Sequence, residues 1–481
     1  MRRIFVSDKI FDNEKKNFFN GFIIVDDGII KDVIKKQFIR KEYKTGEICN
    51  YTGNMIIPGF VDAHTHLLKT EVRNHRINLK NIKTKDDMFR KLSSSKKEII
   101  LAENFDESKI KEKSFPTIKE LNKISNKKPI IIRRICGHIA FINKKAIETL
   151  SDYFYNIDPA GILIEKQVFA LDEIFMEDNK VLIKRLDKGI KNALELGITS
   201  IGEIAGINDF KIYQMLKLKK GLKIRISLYM LEKHYKKMNN SGLVGSFGDE
   251  YLSIQGIKYF MDGSIGGHTA AMSFPYKYND TKGIILQRNF KEKIKSPINN
   301  NYQILTHAIG DRAIQNVINT YSNYKVADNI LRIEHSEILN NNMIYRISKM
   351  PVVLVMQPNF VRNWDYDDND MYERNLGEYA SLNNRYKNIL DAGINLAFSS
   401  DSMPMSPLYG IGKITSYKRQ SQRISFEQAI DCYTRMAANA IRRNDIGIIQ
   451  NGKKADFAII NNNKENIEAT IVNGITVFSK E

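Results

Sequence analysis

The alternation of apolar and polar positions divides the chain into three kinds of segment. Up to about residue 57, short apolar runs at 4–6, 22–25 and 29–33 are separated by Asp, Gly, Asn and Lys, a spacing that predicts a small antiparallel sheet. A matching pattern closes the chain, where runs at 455–460 and 469–472 flank loops containing Asn461 to Asn463 and Asn473-Gly474. Neither piece is large enough to form a stable core alone, so the two termini are expected to pair into one small β-sandwich.

Between them strands and helices alternate. Strand patterns fall at 57–62, 198–202, 224–229, 254–260, 303–306, 331–334, 352–356 and 395–399. Leu182, Ile183, Leu186, Ile190, Ala193 and Leu194 repeat at helical spacing and stop at Gly197, a C-terminal cap. Asp311 reads as the N-cap of a helix with Ala313, Ile314, Val317, Ile318 and Tyr321 on one face. Ser425 and Gln428 form a capping-box pattern ahead of a helix over 429–441. Eight strands with crossover helices predict an α/β fold, a (β/α)8 TIM barrel whose active site lies where the strands end. The gap after the first strand is too long for one crossover, so a subdomain is inserted there, with its own strand at 129–133 leading into Gly137-His138. The expected layout is 1–57 for the N-terminal part of the sandwich, 58–66 for barrel strand 1, and 67–180 for the insertion. The rest of the barrel then occupies 181–444, and the C-terminal part of the sandwich 445–481.

Composition changes this picture little. Hydrophobic residues make up 42% and charged residues 27% of the 481 positions, as in ordinary soluble proteins. The basic start at Arg2 and Arg3 is followed by only a short apolar stretch before Ser7, Asp8 and Lys9, which argues against a signal peptide. No apolar run approaches the length of a membrane span, and a cytoplasmic protein is expected. Cys49, Cys136 and Cys432 stand far apart, which excludes a disulfide scaffold or a thiolate zinc cluster. Cys136, two residues before His138, reads as a small buried hydrophobe rather than a nucleophile. The net charge of +19 brings phosphates and nucleic acid into consideration. The lysines are spread along the whole chain, however, and no nucleic-acid-binding motif accompanies them. The expected partner is a small-molecule substrate, with neither nucleic acid nor membrane.

The candidate chemistry lies at strand ends. Pro58-Gly59-Phe60-Val61-Asp62-Ala63-His64-Thr65-His66 ends a buried strand with two histidines at i and i+2, which share a face and can chelate one divalent ion at ~2.0–2.1 Å each. His307 and His335 end the fifth and sixth strands, and Asp401 follows the eighth. Of eight histidines, four fall at such ends, and with a carboxylate at the same rim they are better explained by metal binding than by four separate hydrogen-bonded core histidines.

These motifs resemble the amidohydrolase superfamily, and within it the YtcJ-like branch (amidohydrolase 3 type), whose members include N-substituted formamide deformylases. The matching segments run almost the whole length. They are Pro58 to Leu67; Gly137-His138-Ile139-Ala140 with Asn143; Lys258-Tyr259-Phe260-Met261-Asp262-Gly263-Ser264; His307-Ala308-Ile309-Gly310-Asp311-Arg312-Ala313; Arg332-Ile333-Glu334-His335; Ser400-Asp401; and Gly452-Lys453-Lys454-Ala455-Asp456. The resemblance implies that the terminal sandwich and the insertion are real. It also implies that His64, His66 and Asp401 hold one metal and His307 and His335 a second. Lys258, on the fourth strand, stands where relatives carry a carboxylated lysine bridging both ions. An ammonium cannot bridge two cations, whereas a carbamate offers two oxygen donors. Gly256, Lys258 and Phe260 share a face, consistent with an inward lysine. The alternative is a plain lysine neutralising Asp262 or Asp401 beside a single ion.

The implied activity is hydrolysis of a carbon–nitrogen bond other than a peptide bond, in a small amide or an N-acyl or N-formyl compound. One or two divalent ions, zinc by preference for imidazole and carboxylate, would lower the pKa of water towards ~7. Asp401 would take a proton from that water and return it to the leaving nitrogen. His138 and Arg312 are candidates for orienting substrate, with a structural salt bridge as the alternative for Arg312. Relatives usually carry arginine in the segment 263–271, where this chain has His268, so a permanent cation has become a titratable group. His75 and His234 lie in polar stretches and are expected at the surface. Lactone or ester hydrolysis and deamination use the same ligands and stand as alternatives, as does a metal-free scaffold. A homodimer is the default assembly for such a barrel.

Overall fold

The computed structural model describes residues 1–35, 46–137, 139–365 and 370–480, and of Arg362 the backbone only. The chain divides into two units, Met1–Leu67 with Leu186–Glu481, and Leu68–Arg185. Within the first, β1 (Arg2–Asp12) pairs antiparallel with β2 (Asn17–Asp26), which pairs in turn with β3 (Ile29–Ile34). The other edge of β1 runs parallel first to β4 (Glu47–Asn50) and then to β5 (Met55–Pro58). The sequence pattern suggests one strand across 57–62, but the chain makes two. Gly59 separates β5 from β6 (Phe60–Thr65), which belongs to a different sheet. A side chain at Gly59 would overlap that of Thr199, so glycine is what lets the two sheets share one continuous segment.

The second unit is built on a five-stranded sheet of β7 (Ile77–Asn78), β8 (Ile100–Phe105), β9 (Ile130–Arg134), β10 (Ile139–Ile142) and β11 (Ile162–Ile164), in the order β11-β10-β9-β8-β7. Alternation along β9 feeds both faces: Ile130 and Ile132 pack with Met88, Leu92 and Leu121, while Ile131 packs with Leu150, Val168 and Leu171. Where β9 ends, Arg133 is buried against Asp172 (3.0 Å), which also accepts from Arg73 (2.8 Å) and lies 3.0 Å from Arg76.

The first unit continues with β12 (Ile198–Ala205), β13 (Arg225–Leu231), the short β14 (Phe247–Gly248) and β15 (Leu252–Phe260). β16 (Gln303–Ala308), β17 (Leu331–His335), β18 (Val352–Met356) and β19 (Asn395–Phe398) follow. With β6 they form one sheet in the order β19-β18-β17-β16-β15-β13-β12-β6, parallel throughout, with β14 added antiparallel to β15. The two ends of this near-closed barrel meet where Asp401 N donates to His64 O (3.0 Å) and Ser400 N to Asp62 (2.9 Å). Helices such as Ile207–Lys220, Asp311–Tyr321 and Asn341–Ile347 make the crossovers. Ser425 caps its helix as the sequence suggests, but the run over 429–441 is two helices, Phe426–Tyr433 and Arg435–Ala440, divided at Thr434. The second packs Ala437, Ala438 and Ala440 on Val61, Tyr229, Leu305 and Val355.

The chain ends in β20 (Phe457–Ile460), β21 (Ile467–Val472) and β22 (Ile475–Ser479). β20 pairs antiparallel with β5, so strands from both termini share a hydrogen-bonded sheet of order β22-β21-β20-β5-β1-β2-β3, with β4 beside β1. One face buries Phe5, Ile23, Ile56, Phe457, Ile459 and Ile471. The sequence pattern assigns these strands to a sandwich; hydrogen bonding joins them in a single eight-stranded sheet. No helix among the described residues is long and apolar enough to cross a membrane.

Candidate metal centre

His64, His66 and Asp401 come together where β6 and β19 end, each offering a ligand atom within 4.8 Å of the others. Asp401 Oδ1 lies 3.2 Å from His66 Nε2 and 3.7 Å from His64 Nε2. It is buried and makes no hydrogen bond of good geometry. A carboxylate oxygen in that condition is costly unless something positively charged occupies the space it faces. His335 stands beside this group, its ring centroid 5.2 Å from that of His64, and the His307 ring is 4.5 Å from His335.

Each of three imidazoles is anchored through one nitrogen, which fixes its tautomer and leaves the lone pair on the other. His64 Nδ1 donates to Glu334 Oε2 (2.6 Å) and His335 Nδ1 to Gln357 Oε1 (2.9 Å). His307 Nε2 donates to the carbonyl of Gly263 (2.9 Å). Nε2 of His64 and His335 and Nδ1 of His307 are therefore the ligand atoms on offer. Burial, followed by the charge of Lys258 and the neighbouring rings, holds all three well below the ordinary histidine pKa, so they are neutral at pH 7. Neutral imidazole is the metal-binding form.

Lys258 is 1% exposed, and its charge acts on His64, His307, His335 and Asp401. Burial pushes its pKa down to about 8, against the opposing pull of Glu334 and Asp401. Asp401 goes the other way. Burial would raise it, but His66, His64 and Lys258 hold it below the usual aspartate range. Among the described residues, two histidines and an ionised carboxylate, His64, His66 and Asp401, converge closely enough to suit one divalent cation, whereas His307, His335 and Lys258 stand beside that group rather than in it.

The surroundings keep these groups in place. Glu334 is fully buried and receives Arg332 Nε (2.9 Å) and NH2 (3.0 Å) as well as His64. Arg332 also donates to the carbonyls of Ala63 and Ala440 (3.0 Å each) and lies over the Tyr229 ring. Asp62 fixes Ser400 through both its backbone and its hydroxyl. Asp262 accepts from the backbone of Ile309, Gly310 and Ala271, tying the end of β15 to the end of β16. Burial raises both aspartates to about 7. Sequence reading did not assign roles to Glu334, Gln357, Asp62 or Glu203, which accepts from Thr65 and Leu67 N. The available signal was charge inside apolar strands, as in Val61-Asp62-Ala63 and Arg332-Ile333-Glu334.

Of the three candidate substrate residues, the two that are described, His268 and Arg312, are hydrogen-bonded within the fold. His138 is outside the described residues. His268 is bonded to Asn375 (2.6 Å) and Asn279 (2.9 Å) and packs on Tyr276. Arg312 donates to the carbonyls of Lys282 and Gly283 (3.0 and 3.1 Å), holding the loop after β15. Cys136 is half-buried in the second unit, His75 is exposed, and His234, expected at the surface, is half-buried.

Residues 47–478 match the amidohydrolase family. The Bacillus subtilis protein YtcJ is 23% identical over 95% of this chain and 96% of its own length. An N-substituted formamide deformylase of Arthrobacter pascens is 21% identical over 86% of this chain and 84% of its own. Among solved structures, an uncharacterized metal-dependent hydrolase from Pyrococcus horikoshii superposes with a TM-score of 0.83 at 23% identity, covering 99% of this chain and 100% of its own.

Proposed function

The chain belongs to the amidohydrolase family, and from that premise we propose that it hydrolyses a carbon–nitrogen bond, other than a peptide bond, in a small amide or an N-acyl or N-formyl substrate. The observation that carries the reading is the convergence of His64, His66 and the buried Oδ1 of Asp401 within 4.8 Å of one another. The likeness to a protein named N-substituted formamide deformylase supports the choice of bond.

His64, His66 and Asp401 would hold one divalent ion, and His307 and His335 a second, with Lys258 between. Zinc suits imidazole and carboxylate donors best. Such ions supply Lewis acidity that acidifies water and polarises a carbonyl. The remaining work falls to the chain's own groups. Asp401, ionised at neutral pH, accepts a proton from the attacking water and delivers it to the departing nitrogen. Glu334 and Gln357 hold His64 and His335 in the tautomers that present Nε2 inward. Lys258, uncharged in a large fraction of molecules near pH 8, adds through Nζ to carbon dioxide. One nitrogen–carbon bond forms, one proton leaves to solvent, and a carbamate with two oxygen donors results.

The test is metal analysis of protein expressed with zinc and bicarbonate, together with turnover of a panel of formamides, N-acyl amino acids and lactones. One or two ions per chain are expected, with amide turnover lost to a chelator and restored by zinc. Less than one ion per chain, or turnover of lactones alone, would overturn the reading.

A further inference from the structure

The histidine pair His307–His335 sits in a continuous row of rings. The Phe260 ring centroid is 5.5 Å from His307, and His307 is 4.5 Å from His335. His335 is stacked on Phe360 at 6.2 Å, and Phe360 meets Trp364 edge-on at 4.4 Å. Phe360 is buried, and Trp364 is half-buried with its other contacts in the apolar cluster of Ile265, Phe274 and Tyr372. Phe260 is different. It is the last residue of β15, every other residue of that strand is buried, and it is 36% exposed.

A single exposed ring is ordinary. Here the apolar exposure is grouped around the strand ends that carry the candidate ligands. Met403, two residues beyond Asp401, is also 36% exposed, and its carbonyl accepts from Asn363 on the helix that carries Phe360 and Trp364. Leu286 is exposed too, and its backbone is bonded to Met261, next to Phe260. Lys258 is buried, with Nζ 5.2 Å from the centre of the Phe260 ring. Among the described residues, the side chains in ring contact with the histidine pair on its outer sides carry no charge.

We propose that Phe260, the exposed end of this row, forms with Met403 a substrate subsite that selects an uncharged aromatic or similarly broad apolar group adjoining the reacting carbonyl, with the buried rings behind it as its support. The inference rests on the amide-hydrolase reading for the reaction but concerns a different property, the side of the substrate that is not cleaved. A charged substituent would lose its hydration against the apolar surfaces of Phe260 and Met403. A small one would leave the apolar surface wet.

The chain contains one tryptophan, Trp364, so its fluorescence reports on this wall without turnover. Metal-free full-length protein is titrated with 2-phenylacetamide, acetamide and succinamate, in wild type and in the variants Phe260→Ala and Phe260→Leu, with unfolding temperature as the check on folding. A saturable change is expected with 2-phenylacetamide alone, about ten- to a hundredfold weaker in Phe260→Ala and partly restored in Phe260→Leu. Equal binding of acetamide or succinamate, or undiminished binding by Phe260→Ala, would overturn the subsite. If the binding pattern holds but zinc-loaded enzyme turns over no amide, the hydrolase reading falls and the subsite stands.

Discussion

Replacing Glu334 by glutamine tests the centre at its support rather than at its ligands. The carboxylate accepts three hydrogen bonds at 2.6, 2.9 and 3.0 Å, from His64 Nδ1 and from two nitrogens of Arg332, with all three side chains buried. Glutamine keeps the shape but loses the charge and one acceptor. Two separable losses follow. Arg332 keeps its bonds to Ala63 O and Ala440 O but becomes an uncompensated buried cation, which costs about 3–5 kcal/mol of folding stability. His64 loses a charge-assisted partner that fixes its tautomer, which lowers metal affinity about 10–100-fold, or about 1.4–2.7 kcal/mol.

The double variant Arg332→Met with Glu334→Leu distinguishes them. It removes both charges together, so its stability should return to near or above that of the wild type. His64 is still without a partner, so the loss of metal affinity should persist. Urea unfolding of metal-free protein reads the first quantity, and competition with a chromophoric chelator reads the second. The reasoning fails if Glu334→Gln binds zinc as tightly as wild type, or if the double variant is no more stable than the single one.

Asp401→Asn should lower turnover about 10²–10⁴-fold while leaving the unfolding transition in place, and activity above a tenth of wild type would exclude a proton-transfer role. For Lys258, a pKa of about 8 means that the uncharged amine rises from about a tenth at pH 7 to about nine-tenths at pH 9. Carbamate formation followed by ¹³C NMR at fixed dissolved carbon dioxide should therefore speed up across that range, and a flat profile would refute an accessible amine. In the second unit, burial would raise Asp172, but Arg73, Arg133 and Arg76 hold it well below the usual aspartate range. Its folded pKa is depressed, so its contribution to stability is present above about pH 4 and fades on acidification. Asp172→Asn should cost about 3–5 kcal/mol at pH 7, with the gap to wild type closing as pH falls from 5 towards 2; a constant gap in urea unfolding would contradict this.

What was legible in the sequence is what periodicity and strand ends can carry. All eight barrel strands follow from runs of apolar residues, and His64, His66, His307, His335 and Asp401 stood out as candidates because polar side chains at the ends of such runs have no packing role, whereas Lys258 was singled out by the family resemblance alone. The break at Gly59 was not legible, because it depends on Thr199, brought alongside by closure of the barrel. Nor were the partners of the candidate residues. His335 is held by Gln357 on the next strand's end, and His268 by Asn375, more than a hundred residues away. Arg312 is occupied by two carbonyls of the loop after β15. Side-chain type announces that a group can bind something, whereas its partner is chosen by the tertiary fold.

Two of the candidate ligands lie on strained backbone. His335 and Ser336 have φ of +71° and +48°, and Asp401 and Ser402 have +50° and +58°, a region that costs non-glycine residues about 1–3 kcal/mol each. Neither pair contains glycine, so the strain is retained where sequence could have relieved it. The surroundings over-determine both turns. Ser336 N donates to Ala308 O and Glu334 O, Asp401 N to His64 O, and Ser402 N to Ser400 Oγ, while Ser402 Oγ accepts from His66 N. Each bond runs to a ligand, to the residue that orients one, or to a neighbour on its strand. Continuing β17 or β19 in extended conformation would alternate the next side chains between the two faces of the sheet. A left-handed step instead re-aims His335 and Asp401 towards a point shared with β6. The centre is therefore made by backbone turns at strand ends as much as by the choice of histidine and aspartate, and the hydrogen bonds that hold those turns belong to the site.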